Sequence, residues 1–341
     1  MVGVALGQRA PEVVGATEGG RFYSLELQAG RPAVLLPLHG CGPAAARVLL
    51  EALEPALAAL AEAGTDLVFL APQDVAYAEA FADVALRDAV VYLASTWPVQ
   101  DTDGPVALLI DRGGRIVHQT PVYDADDLLR AHDHAAPRLL SEPSRRCASS
   151  APVLILPNLL TPADCRILIE HFEKADHRAG VMAAVKDGQP VVKLDESKKR
   201  RREIQLQDGE PAHEMILTVL AQRCAPEIKR AFQADIAHAD RILIARYDDS
   251  GGYFKRHRDD AAPQTAFREF AISINLNTEA YEGGELLFPE FDDHRYSPPA
   301  GAAIIFSASL LHEAAAVTRG SRYVVLSFLC TARAMERMGA A

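Results

Sequence analysis

From Arg241 onward the chain breaks into short apolar runs set apart by turn residues: RILIARY, REFAISINLN, GELLFP, GAAIIFS and RYVVLSFLC. Runs of this length, rich in β-branched and aromatic residues and bounded by Gly, Pro, Asn and Asp, form strands. A set of many short strands must bury one apolar face, and a sandwich or small barrel does so by packing two sheets together. Helices precede this set. In PVLILPNLLTPADCRILIEHFEKA a strand runs into a helix whose start is marked by Thr161 at the N-cap, Pro162 at the first helical position and Asp164 two residues later. A second helical pattern covers Glu210 to Gln233. The expected class for this half is α+β.

The first half alternates differently. PAVLLPL (Pro32–Leu38) and DLVFLAP (Asp66–Pro72) are buried strands. Between them lies an Ala/Leu-rich helical stretch that Pro55 kinks or splits. Two further strands flank a DRGG turn in GPVALLIDRGGRIVHQ, and DADDLLRAH opens a terminal helix. Strand, helix, strand, hairpin and helix make an α/β unit. The stretch His132–Pro152 mixes Pro, Ser and Arg without an apolar period and reads as a linker. The 341 residues, at roughly 100–200 per domain, therefore divide into a domain over 1–140, a linker over 141–151 and a domain over 152–333.

Charge and cysteine usage narrow the function classes. The net charge of −11 speaks against a general nucleic-acid binder, which needs a basic face for phosphates. The run KKRRR (Lys198–Arg202) goes against that trend and reads as a solvated loop. No apolar run reaches the roughly 18 residues that span a bilayer, so no membrane partner is expected. The opening MVGVALGQRAPEVVG has no basic region followed by a long apolar stretch and does not read as a secretory leader. The five cysteines, Cys41, Cys147, Cys165, Cys224 and Cys330, form no C-x-x-C pair, which suits a reducing cytoplasm.

The first domain resembles the thioredoxin fold in its thiol-disulfide and peroxiredoxin branch. The resemblance rests on LGQRAPEVVG, HGCGPA and Pro105, which stands where that family keeps a cis-proline, and covers residues 3–135. The position of the family's second active-site cysteine holds Ala44, so dithiol exchange within the motif is ruled out. A lone Cys41 at a helix N-terminus would act, if at all, as a thiolate of lowered pKa; otherwise the domain is degenerate and serves docking or homodimer formation.

The chemistry concentrates in the strand-rich half. His257 and Asp259, in RYDDSGGYFKRHRDD, precede His312, in FSASLLHEAAAV, by 55 residues from the first histidine to the second. Two histidines and a carboxylate on a β scaffold form a facial triad: three protein ligands leave three metal positions open, and imidazole suits Fe(II). Arg322 lies ten residues after His312, at the start of RYVVLSF. Pointing into a barrel, it would bind a carboxylate bidentately.

Together RYDDSGGYFKRHRDD, AISINLN, YEGGELLFPE, GAAIIFSASLLHE and GSRYVVLSFL resemble the prolyl 4-hydroxylase-type Fe(II)/2-oxoglutarate dioxygenases. The resemblance spans residues 150–332. It implies a double-stranded β-helix (jelly-roll) core, with Fe(II) held by His257, Asp259 and His312. Arg322 would take the distal carboxylate of 2-oxoglutarate. Tyr247 and Asn275 would contact the cosubstrate, and Gly283 and Gly284 would form a tight turn beside the mouth. The reaction implied is hydroxylation of an unactivated C–H of a peptide residue, amino acid or small metabolite. It would consume 2-oxoglutarate and O2, release succinate and CO2, and draw on ascorbate as reductant. Two other classes stand beside it: a thiol peroxidase using Cys41, and a non-catalytic 2-oxoglutarate- or oxygen-sensing module.

Overall fold

A computed structural model of the chain describes residues 5–94, 104–139, 146–186 and 189–339. The chain forms two compact units, Met1–Ser144 and Arg145–Ala341.

The first unit is thioredoxin-like. Its strands are β1 (Val14–Thr17), β2 (Phe22–Ser24), β3 (Ala33–Pro37), β4 (Asp66–Pro72), β5 (Val90–Leu93), β6 (Val106–Ile110) and β7 (Ile116–Pro121). They form one sheet in the order β2-β1-β5-β4-β3-β6-β7, with β3, β4 and β5 parallel and β6 antiparallel to β3. All five residues of β3 are buried, as expected of a strand covered on both faces. Pro55 does split the Ala/Leu-rich stretch. It yields α1 (Pro43–Leu53), a 3-10 turn and α2 (Leu57–Glu62), because proline has no N–H to continue the ladder. Next come α3 (Val75–Phe81) and α4 (Ala125–Leu139).

Helix α4 corrects the expected linker. Residues 132–139 are helical, because Leu128, Ala131, His132, Ala135 and Leu139 recur at helical spacing and bury one face. His132 meets Thr65 Oγ1 at 3.0 Å. Residues 141–145 of that linker lie outside the described residues. Two expectations for a redox site also fail here. The peptide bond before Pro105 is trans, as are all bonds among the described residues. Burial pushes the Cys41 thiol above its ordinary pKa, opposite to the lowered value a reactive thiolate would need. Its carbonyl accepts a hydrogen bond from the Tyr77 hydroxyl. Alkylation of Cys41 by iodoacetamide is therefore expected to be slow at pH 7 and to keep rising through the usual thiol range near pH 8.5; a plateau below pH 7 would contradict this.

The second unit is a double-stranded β-helix with flanking helices. It opens with β8 (Leu154–Leu156) and α5 (Pro162–Lys174). The α5 start has the full capping box: Asp164 N donates to Thr161 Oγ1, and Thr161 N donates to Asp164 Oδ2. Short strands β9 (Arg178–Ala179), β10 (Met182–Lys186), β11 (Gln189–Lys193), β12 (Lys199–Arg200) and β13 (Arg202–Gln205) follow. The KKRRR run is thus not a solvated loop throughout: Lys199–Arg200 and Arg202 lie in strands, and Lys199 is buried. Helices α6 (Pro211–Val219) and α7 (Ala225–Phe232) are joined by a π turn. The remaining strands are β14 (Ile236–Asp248), β15 (Tyr253–His257), β16 (Phe270–Asn275), β17 (Tyr281–Gly283), β18 (Leu286–Leu287), β19 (Ala303–Ser307), β20 (His312–Ala314) and β21 (Val317–Thr331).

These strands make a large sheet, β8-β19-β16-β21-β14-β13-β9, and a small sheet, β12-β15-β20-β18. Side chains alternate between two cores, as a strand period of two requires. Ile244, Ile272, Ile305 and Val325 join the layer that contains Leu168, Phe172, Ile216 and Ile228 of the helices. Ala245, Tyr247, Ala271, Ile304, Phe306 and Val324 join the other core, with Phe288. No helix of the described residues is long and apolar enough to cross a membrane.

Candidate active site

His257 ends β15 and His312 begins β20, and the two are direct cross-strand partners. Asp259 follows in the loop, where its N–H donates to the Ala308 carbonyl at 2.9 Å. Its carboxylate lies between the imidazoles: His257 Nε2 is 3.4 Å from Oδ1 and His312 Nε2 is 3.5 Å from Oδ2. One ligand atom from each residue lies within 4.8 Å of the others. Each histidine sets its other nitrogen against a backbone carbonyl, His257 Nδ1 at 2.8 Å from Lys255 O and His312 Nδ1 at 2.9 Å from Leu310 O. A proton on Nδ1 satisfies that contact and leaves the Nε2 lone pair aimed at the shared point, the outer-shell arrangement that metal-ligating histidines use. Phe254 stacks on His257 with ring centroids 3.4 Å apart, and Phe306 meets His312 edge-on.

The protonation states suit a metal. Burial pushes His312 down to about 4, so its imidazole is neutral near pH 7 and its lone pair is available. Burial opposes ionisation of Asp259, but His312, His257 and Arg268 outweigh it and hold the carboxyl below its ordinary range. Two imidazoles and one carboxylate around one point fit a divalent ion of the Fe(II) type.

Arg322 lies on β21 directly opposite Tyr247 on β14, and both line the cavity that contains the three ligand residues. Arg322 is 3% exposed. Its Nη2 donates to Asn275 Oδ1 at 3.2 Å and to Ser273 Oγ at 3.4 Å. Its Nε has no partner, and no carboxylate pairs with it among the described residues. A buried cation in this state is costly without an anion. Tyr247 accepts from Arg201 Nη1 at 2.8 Å, which leaves its own hydroxyl proton to give. Asn275 is buried, spends its amide on the Pro298 carbonyl and does not line the cavity; Ser273, two residues earlier on the same strand face, does.

Sequence reasoning missed Arg201 and Lys199. Lys199 is 4% exposed and donates to the Val181 carbonyl. Arg201 is 2.7 Å from Glu203 and lines the same cavity as Arg322. The signal was present: Lys199, Arg201 and Glu203 alternate with exposed Arg200 and Arg202, the period of a strand with one buried face. Burial, then Arg201, pulls the Lys199 ammonium down to about 7 against the attraction of Glu203.

Comparison with known proteins finds the following similarities. Residues 242–330 match the model of the 2OG-Fe(II) oxygenase superfamily. A PKHD-type hydroxylase of Methylobacterium nodulans is 29% identical over 181 residues, covering 49% of this chain and 73% of the relative. One from Hyphomonas neptunium is 26% identical over 193 residues, covering 52% and 77%. Among solved structures, a Pseudomonas putida prolyl-4-hydroxylase is 18% identical with a TM-score of 0.40, covering 53% of this chain and 94% of that one. For the first unit, a thiol:disulfide interchange protein DsbE from Chlorobium tepidum is 20% identical with a TM-score of 0.34, covering 40% and 99%.

Proposed function

We propose that the chain is an Fe(II)- and 2-oxoglutarate-dependent dioxygenase that hydroxylates an unactivated C–H of a peptide residue, amino acid or small metabolite. The observation that carries this reading is the pairing, in one cavity, of the His257–Asp259–His312 group with a buried arginine that lacks a carboxylate partner. Fe(II), when bound, supplies O2 activation and the oxidative decarboxylation of 2-oxoglutarate to succinate and CO2, with ascorbate as reductant. The chain supplies the rest. His257, Asp259 and His312 hold the ion. Arg322 holds the distal carboxylate of 2-oxoglutarate, Tyr247 donates its hydroxyl proton to the same cosubstrate, and Asn275 positions Arg322. Phe254 and Phe306 keep water from the imidazoles.

The test is anaerobic addition of Fe(II) and 2-oxoglutarate to the apoprotein, followed by admission of O2. A weak visible charge-transfer band, then release of succinate, is expected; a folded protein that forms neither would remove the reading. Bound iron and cosubstrate without turnover on any substrate would favour the sensing module instead. The thiol peroxidase reading is disfavoured by Ala44 at the place of a second cysteine and, in the same direction, by the burial that raises the Cys41 pKa.

Gly284 offers a second test. It has φ +70, and a Cβ there would lie 2.9 Å from Arg322 Cδ. Gly284→Ala should cost about 1–2 kcal/mol of stability from the left-handed backbone and, by displacing Arg322, raise the 2-oxoglutarate KM. An unchanged KM in a folded variant would show that this turn does not set the position of the arginine.

A further inference from the structure

A second cavity, of about 480 Å3, shares Arg201, Phe254, His257, Asp259 and Phe328 with the first. That volume admits a small molecule or a peptide side chain. Its wall carries a surplus of positive charge. Arg256, Arg258 and Arg268 are each matched by a carboxylate of their own, Glu313, Glu290 and Asp240. Lys199, Arg201 and Arg241 are not: all three share Glu203, at 3.9, 2.7 and 3.4 Å. The two guanidiniums alone outweigh the one carboxylate, so the cluster keeps a net positive charge. The side chains of Lys199, Arg201 and Glu203 are 4, 8 and 9% exposed, so water does little to compensate. Asp259 is the one acidic residue on this wall among the described residues, and it belongs to the metal group.

The backbone adds an independent observation. Arg241 has φ 49, left-handed for a residue that is not glycine, within a register shift between Asp240 and Leu243. Bulges next to a site re-aim a side chain, and a non-glycine left-handed residue persists only where its surroundings hold it there. Here the bulge brings Arg241 to Glu203 and onto the cavity wall.

We propose that Lys199, Arg201 and Arg241 bind a carboxylate of the hydroxylated substrate, so that the substrate is an acidic molecule presented to the metal from this second cavity. The proposal rests on the oxygenase reading. It places two anion sites beside the metal group: Arg322 takes the cosubstrate carboxylate, and the Glu203 cluster takes that of the substrate. Arg201 stands in both walls and, through Tyr247, links them.

The experiment uses the full chain loaded anaerobically with Fe(II) and 2-oxoglutarate and follows the charge-transfer band as probes are added. The probes are N-acetyl-Glu-Pro-Glu-amide and N-acetylglutamate, each against its glutamine counterpart. At least one acid should bind about tenfold more tightly than its amide, the scale of a hydrogen bond to a charged group. Which acid does so tells whether the carboxylate comes from a peptide or a free acid. Arg241→Gln should lower that preference roughly fivefold, less than the full effect because Arg241 is part-exposed, and Arg241→Lys should retain it. The band in each variant reports that the protein is folded. Failure of the wild type to form the band would strike the oxygenase reading itself. With the band present, acids that bind no better than their amides, or a preference unchanged in Arg241→Gln, would overturn the substrate proposal alone.

Discussion

Asp259→Ala is expected to abolish the Fe(II)–2-oxoglutarate charge-transfer band and to leave no detectable succinate release. The carboxylate contributes the only negative charge among the three ligands and sits within 3.5 Å of both imidazole Nε2 atoms. Loss of a group that merely orients a ligand costs about 10–100-fold in metal affinity, so loss of a ligand should exceed about 100-fold. The two histidines would remain, each still held through Nδ1 by a backbone carbonyl. A fold measured by circular dichroism should therefore survive. Retention of the band at wild-type Fe(II) concentrations would mean that Asp259 is not a ligand.

Arg322→Met should separate stability from function. Met fills similar space without a charge. In the apoprotein the change removes a buried cation that has no carboxylate partner and an Nε with no hydrogen bond, which favours the variant. It also strands Asn275 Oδ1 and Ser273 Oγ, at about 1 kcal/mol. These effects oppose each other, so the apoprotein Tm should move by only a few degrees. The cosubstrate, by contrast, loses a charge-assisted contact. Its KM should rise about 100-fold, equivalent to roughly 2.7 kcal/mol. Saturating 2-oxoglutarate should raise the Tm of the wild type by linkage and leave that of the variant unchanged. An unchanged KM, or a Tm still raised by 2-oxoglutarate, would show that the distal carboxylate binds elsewhere.

Much of this architecture was legible in the sequence because its signals are local. RILIARY, FAISIN, GAAIIFS and RYVVLSF are short apolar runs bounded by turn residues, and that marks them as strands before any partner strand is known. The Pro55 split and the α5 capping box are equally local. The failures share a cause. Residues 132–139 mix polar and proline residues and read as linker, yet one buried face makes them helical. The KKRRR run reads as solvated because a strand so short and so charged is recognised only once its neighbours are in place. Asn275 was expected at the cosubstrate; its position on the strand was legible, but its commitment to Arg322 and Pro298 was not.

What the sequence by itself determined, then, was the order and spacing of the metal-ligand candidates and the arginine beyond them. These follow from chain geometry over a few residues. Only the tertiary structure decided which charges are compensated. Lys199 and Arg201 become buried because β12 pairs with β15 and β13 with β14, and Arg241 joins them through a bulge set by β21. Arg322 is left without a carboxylate because none of the described strands brings one to it. Burial and pairing depend on neighbours far away in the chain, and electrostatic energy depends on both.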